Sequence, residues 1–328
     1  MASLPFHASL EQKKKYFKNT SHYIIDDEEG LEKWYEKWKA INEEAGSGQY
    51  IFRGANEAKY MLFNTAQRKW NEKIERKKHG NYRDYFTTLL NIAKNNAVFK
   101  KVFEFYKLDK DEIDFPLMSL LQHYKGPSPF LDWTYNFDVA LYFAIDGIKH
   151  EVKGGINDYF SVYTINKHKA QIKRLVPGKE STIQGLIERM RTSNMKRLNN
   201  DDKNKDDKSY SSERLVYVSD FEESESENEK DNIKYIGGAG TALYNQNIIP
   251  QQGLFIFNPS RTIPLEEYKF NDKESGNVQI RCCNIHKALN PLLYKKLAAS
   301  AVNKAFIYPT IGNIVASITK EMDKVFFT

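Results

Sequence analysis

Residues whose types suit chemistry gather at three places in this chain. The earliest is Arg53, carried by the apolar run YIFRG, Tyr50 to Gly54. A guanidinium there presents a planar fork of donors suited to phosphate or carboxylate, and Gly54 behind it lets the backbone turn or another group approach closely. The second place is the series Gln122, His123, Tyr124, Ser128, Asp132 and Thr134, which leads into a helix. The third is Gln251, at the entry to the late apolar strand GLFIF. Read without further context, His123, Asp132 and Arg53 would suit a nuclease or other hydrolase. Arg53 alone would suit a non-catalytic module that senses phosphate or nucleic acid.

Each of these residues also has a plainer reading. Arg53 can pair with Asp132 as a partly buried ion pair, whose loss would cost about 3–5 kcal/mol. His123 can be a hydrogen-bonded core histidine, Trp133 and Tyr142 can be packing residues, and Thr134 can cap the following helix in place of Asn136. Gln251 and Gln252 can satisfy backbone groups at a strand edge.

Several chemistries lack their sequence signature. GGAG at residues 237–240 has neither the Lys-Ser/Thr of a phosphate-binding loop nor the spacing of a dinucleotide turn. There is no Gly-x-Ser-x-Gly elbow and no His-Glu-x-x-His helix. The two cysteines, Cys282 and Cys283, are adjacent in a strand pattern, so they point to opposite faces and suit neither a disulfide framework nor a zinc site. No metal is expected.

The second block reads QHYKGPSPFLDWTYNFDVALYFA, from Gln122 to Ala144. Together with YIFRG it resembles the FRG-domain family, whose pattern is an aromatic-Arg-Gly strand, a Gln-His-Tyr-Gly-x-Pro-Thr-Arg-Leu-Leu-Asp-Trp-Thr block and an Ala-Leu-Tyr-Phe-Ala helix. NQNIIPQQGLFIF and FIYPTIGNIVASI resemble later segments of the same family, so the likeness spans roughly residues 28–323. The chain departs from the pattern at Pro129 and Asn247, where the family has arginine, and at Lys125, which shifts the glycine to Gly126.

The order of these parts is also similar to the ADP-ribosyltransferase plan. That likeness implies NAD as substrate, with Arg53, Gly54, Gln122, Tyr124, Ser128 and Thr134 binding it and Arg53, His123, Asp132 and Gln251 at the reacting centre. Breaking the nicotinamide–ribose bond builds an oxocarbenium-like centre while the diphosphate stays negative. Arg53 would hold the phosphates, and Asp132 or Gln251 would support the ribose. A glutamine carries no charge, so with Gln251 in that position Asp132 or His123 must supply the base. The same likeness implies a bacterial toxin or antiphage effector that modifies a macromolecule, nucleic acid and RNA foremost, with an antitoxin protein as a further candidate partner.

The elements that must position these groups follow from patterning. Leu31, Trp34, Trp38 and Ile41 lie at helical spacing within a helix near 28–42. A basic helix is expected across 66–78, another from Tyr82 to Tyr106, and a third over Thr182–Arg191. Asn136 is the expected N-cap of the Ala140–Ala144 helix, with Asp138 favouring its positive end. Strands are expected at Tyr159–Ile165, Arg214–Asp220, GLFIF and VQIRCCNI. The fold class is therefore α+β, and the resemblance implies an ADP-ribosyltransferase-like mixed or antiparallel sheet with helices at both ends.

The expected organisation is an N-terminal extension, 1–27, then one domain over 28–328. Two charged segments, 198–212 and 221–232, are too polar to bury and are expected to be mobile insertions. The chain has 328 residues, 41% hydrophobic, and a formal net charge of +6. That balance fits either a polyanionic partner or a solvated lysine-rich surface. No run of 18 apolar residues and no secretory leader is seen, so a cytoplasmic protein without a membrane span is expected.

Overall fold

The structure, a computed structural model, describes residues 5–17, 21–44, 49–72, 82–105, 114–148, 153–170, 173–174, 216–219, 221–223, 233–235, 246–258, 260–268 and 280–310. The strands are β1 (His22–Ile25), β2 (Tyr50–Ala55), β3 (Phe130–Thr134), β4 (Tyr159–Asn166), β5 (Lys173–Arg174), β6 (Val216–Ser219), β7 (Phe221–Glu223), β8 (Ile233–Tyr235), β9 (Gly253–Phe257) and β10 (Arg281–His286). Among the described residues, eight of them form one mixed sheet in the order β1-β10-β4-β2-β3-β9-β6-β5. Only the β1–β10 and β5–β6 pairs are parallel.

The centre of the sheet is covered on both sides, so β9 is buried throughout and β4 is buried from Phe160 to Asn166, its polar residues included. On one face Ile51, Leu131, Trp133, Tyr163, Ile165, Leu254 and Cys282 pack with Phe17 and with Leu265 and Tyr268. On the other, Phe52, Phe160, Val162 and Cys283 meet helices α2 (Glu28–Glu44) and α7 (Phe137–Ile145). Further along that face Phe130, Phe255 and Phe257 meet α3 (Thr65–Glu72), α4 (Tyr82–Asn95) and α6 (Asp114–His123). Cys282 and Cys283 thus point to opposite faces as expected, and both are buried free thiols.

The stripe on α2 is core: Leu31, Tyr35 and Trp38 are buried, and Trp34 and Tyr35 pack against Phe137. Asn136 caps α7, its side chain accepting from the amides of Asp138 and Val139. Asp138 does more than favour the helix end, because its buried carboxylate takes Lys39 Nζ at 2.5 Å and the Tyr35 hydroxyl at 3.1 Å.

Elsewhere the expectations need revision. The Tyr82–Tyr106 helix is two helices, α4 and α5 (Ala97–Phe105), because Asn96 accepts from the amides of Val98 and Phe99 and caps a new start. Helix α6 was not expected at all. The basic helix is described as far as Glu72, while Thr182–Arg191 and the segment 198–212 lie outside the described residues. The second charged segment, 221–232, opens as strand rather than loop, because Phe221 sits opposite Tyr235 and Glu222 opposite Lys234. The stretch 1–27 contributes strand β1 to the sheet and packs the short helix α1 (Leu10–Lys14) against it. Lys13 is fully buried there, donating to the Ala58 carbonyl (2.8 Å), Ser161 Oγ (2.7 Å) and Asn284 Oδ1 (2.9 Å). No described helix is long and apolar enough to cross a membrane.

Candidate active site

Strand β2 pairs with β4 along its whole length but with β3 at a single position, Phe52 opposite Thr134. Beyond that point β2 and β3 diverge, and the sheet opens into a cavity of about 740 Å³. That volume lies in the usual range of small-molecule sites, roughly 300–1,000 Å³. The walls come from β2, α3, the end of α6, β3, the segment before β9, and the chain at Tyr308 and Thr310.

Arg53 reaches across this split. Its Nη1 donates to the backbone carbonyl of Asp132 at 2.5 Å, replacing the ladder bond that β2 no longer supplies. Its Nε is buried and has no hydrogen-bond partner. Burial pulls the guanidinium's pKa down, partly offset by Asp132, Tyr163 and Glu266, yet an arginine stays charged. The alternative reading, an ion pair between Arg53 and the Asp132 carboxylate, gives way to a bond to the Asp132 main-chain carbonyl.

The Asp132 carboxylate is oriented from α6. Gln122 Nε2 donates to Asp132 Oδ2 at 2.7 Å, and Gln122 Oε1 lies 3.4 Å from Thr65 Oγ1 at the start of α3. His123, the last residue of α6, also lines the cavity. Burial depresses its pKa, with Asp132 opposing the shift, so the imidazole is neutral at pH 7. Among the described residues its ring nitrogens make no hydrogen bond, so one is free to accept a proton.

Other expected site residues have structural work. Gly54 borders the cavity, but its missing side chain makes room for α7: a Cβ there would meet the Ala140 carbonyl oxygen at 2.1 Å. Thr134 donates to the Gln251 carbonyl at 2.6 Å and accepts from the Asn136 amide at 2.9 Å. Gln251 spends its own side-chain amide on the Ile307 carbonyl, at 2.9 Å, and so fixes the chain that places Tyr308 and Thr310 on the cavity wall. Two residues are not in the cavity. Ser128 is fully buried, with Oγ accepting from the Phe130 amide, and Tyr124 is 73% exposed on the outside of α6's end.

Sequence reading missed Arg68. It lies on α3, lines the same cavity, and has its pKa lowered by burial and by the nearby positive charge of Arg53. The basic helix was visible, but a helix of mixed charge gives no sign of which arginine turns toward a strand split. Tyr60, Lys125 and Asn247 were missed as wall residues too. Among the described residues the charged lining is Arg53, Arg68 and Lys125 against the one carboxylate of Asp132, a balance that favours an anionic ligand. Among the described residues no cluster of His, Cys, Asp and Glu has metal-holding geometry.

A search of curated proteins and of solved structures finds no match to the chain. Comparison with family models matches residues 48–153 to the FRG domain. That stretch is narrower than the span of motif likeness, but it holds Arg53, Arg68, Gln122, His123 and Asp132, while the wall from Asn247 to Thr310 lies beyond it. Residues 48–153 of the chain thus carry an FRG domain.

Proposed function

We propose that the split in the sheet binds NAD by its diphosphate and that the protein transfers ADP-ribose to a macromolecule. The observation that carries this reading is the pair of guanidiniums on one cavity, one of them buried with an unpartnered Nε. Two like charges held together in partial burial repel each other, and a ligand with two adjacent phosphates relieves that repulsion while meeting the free donors.

Each remaining group then has a role. Arg53 and Arg68 hold the diphosphate, and Asp132, fixed by Gln122, faces the positive charge that develops on the ribose as the C1′–nicotinamide bond breaks. Nicotinamide leaves with the bonding electron pair. The acceptor's oxygen or nitrogen forms the new bond to C1′, and neutral His123 takes its proton. Gln251 has no part in the chemistry on this reading, since its amide is engaged by Ile307. A role as toxin or antiphage effector rests on the resemblance to the transferase plan.

The test is incubation of folded protein with labelled NAD and, separately, total RNA, DNA and lysate protein. Transfer of label to one class supports the reading. Failure to label every class contradicts it, and cleavage of nucleic acid without NAD would favour the hydrolase reading instead.

A further inference from the structure

The walls of the cavity do not end at the two arginines. Tyr60 lines it and is 45% exposed, so its ring stands at the mouth. Lys59 Nζ lies 5.7 Å from the centre of that ring and is held by Asn157, which fixes a charge beside an aromatic face. Arg68 and Lys125 are exposed lining residues on the other parts of the rim. Between Lys125 and His123 stands Tyr124, its ring edge-on to His123 with centroids 4.8 Å apart.

Lys125 has φ 60°, a left-handed conformation that turns the chain sharply after α6 and leaves Tyr124 and Lys125 both exposed. The rim therefore presents the Tyr60 ring with the cations Arg68 and Lys125 around an opening that leads to Asp132 and His123, while Tyr124 stands exposed just outside the lining, between His123 and Lys125 in the chain. Aromatic faces alternating with cations match a strand of unstacked bases on a phosphate backbone. A duplex, with its bases stacked inside, offers no such faces.

We infer that the rim formed by Tyr60, Arg68 and Lys125, with Tyr124 exposed just outside it, binds single-stranded polynucleotide, the acceptor in the transfer reaction proposed above. The acceptor identity rests on that proposal, whereas binding at the rim does not need NAD. A nucleotide stacked on Tyr60 at the mouth would present a ribose or base heteroatom to the Asp132–His123 end of the cavity.

The experiment measures anisotropy of a labelled single-stranded oligoribonucleotide, its DNA counterpart and the corresponding duplex, without NAD, against the parent protein and variants with checked thermal unfolding. The single strands are expected to bind more tightly than the duplex, and the difference between RNA and DNA identifies the natural strand. Tyr60→Ala and Tyr124→Ala should each weaken binding roughly fivefold or more, as lost base stacking does. Lys125→Ala should lower the slope of log affinity against log salt by about 0.7, one phosphate contact. Equal binding of duplex, tyrosine variants that bind like the parent, or no polynucleotide bound at low salt would each overturn the inference. NAD binding is read separately by calorimetry: its loss with the rim intact contradicts only the transfer reading, and its presence with no polynucleotide bound contradicts only the rim.

Discussion

Gly54→Ala separates two reasons for a glycine after Arg53, room for a ligand and room for a helix. An added Cβ would lie 2.1 Å from Ala140 O, 2.5 Å from Ala144 N and 2.9 Å from Ala144 Cα. All three are backbone atoms of α7, so no rotamer change relieves the overlap. Gly54 is not among the glycines with positive φ, and at such a site alanine would otherwise stabilise by about 0.4–1 kcal/mol through the unfolded chain. Overpacking a core typically costs about 1–3 kcal/mol, and α7 is buried on nearly every side and cannot move away freely. The upper end of that range wins, for a net loss of about 2 kcal/mol. Urea unfolding followed by circular dichroism should show the midpoint falling by about 1 M. A variant as stable as the parent that nevertheless loses ligand binding would refute the helix-packing argument and return Gly54 to the ligand.

Asp132→Asn should leave unfolding free energy within about 0.5 kcal/mol, because Arg53 bonds to the carbonyl and not the carboxylate, while lowering transfer roughly a hundred- to a thousandfold; a loss of several kcal/mol in a denaturant titration would restore the ion-pair reading. Asn136→Ala removes the cap that accepts from two amides of α7 and should cost about 1 kcal/mol in the same titration. His22 sets a pH dependence. Asn284 Oδ1 accepts from Lys13 and Ser161, so Asn284 Nδ2 donates to His22 Nε2, and burial with the nearby lysines lowers the His22 pKa to about 4. The unfolded chain therefore binds the proton first, and stability present at neutral pH is lost as pH falls from about 6.5 to 4, by roughly 3 kcal/mol in the limit. His22→Gln should flatten that part of the pH–stability curve.

What the residues made legible was local. The Asn136 cap, the α2 stripe, the opposed cysteines and the strands β2, β4, β9 and β10 follow from periodicity and capping chemistry, which depend on near neighbours. Arg53, Asp132 and His123 were legible as chemistry, and the fold brings them to one cavity. Their mutual geometry was not legible, because the bond from Arg53 to a carbonyl depends on where β2 and β3 part. Arg68 stayed hidden for the same reason: a helical arginine looks alike whether it meets water or a second arginine across a split sheet. Ser128 and Tyr124 lie outside the cavity, whereas Thr134 and Gln251 line it with side chains that bond main-chain carbonyls, because hydroxyls and amides serve backbone satisfaction as readily as ligands and only the partner atoms decide between the two.

The most direct measurement is calorimetric titration of ADP-ribose, which keeps the diphosphate but lacks the bond to be broken, into the parent protein and Arg68→Ala. Arg68 is solvent-exposed as a residue even though the cavity walls desolvate its guanidinium, so the variant should fold as the parent does. The two-guanidinium site predicts saturable binding to the parent and a roughly ten- to hundredfold weaker affinity in the variant, the worth of one charged hydrogen-bond partner. Equal affinity for both proteins, or no binding to the folded parent, would contradict it.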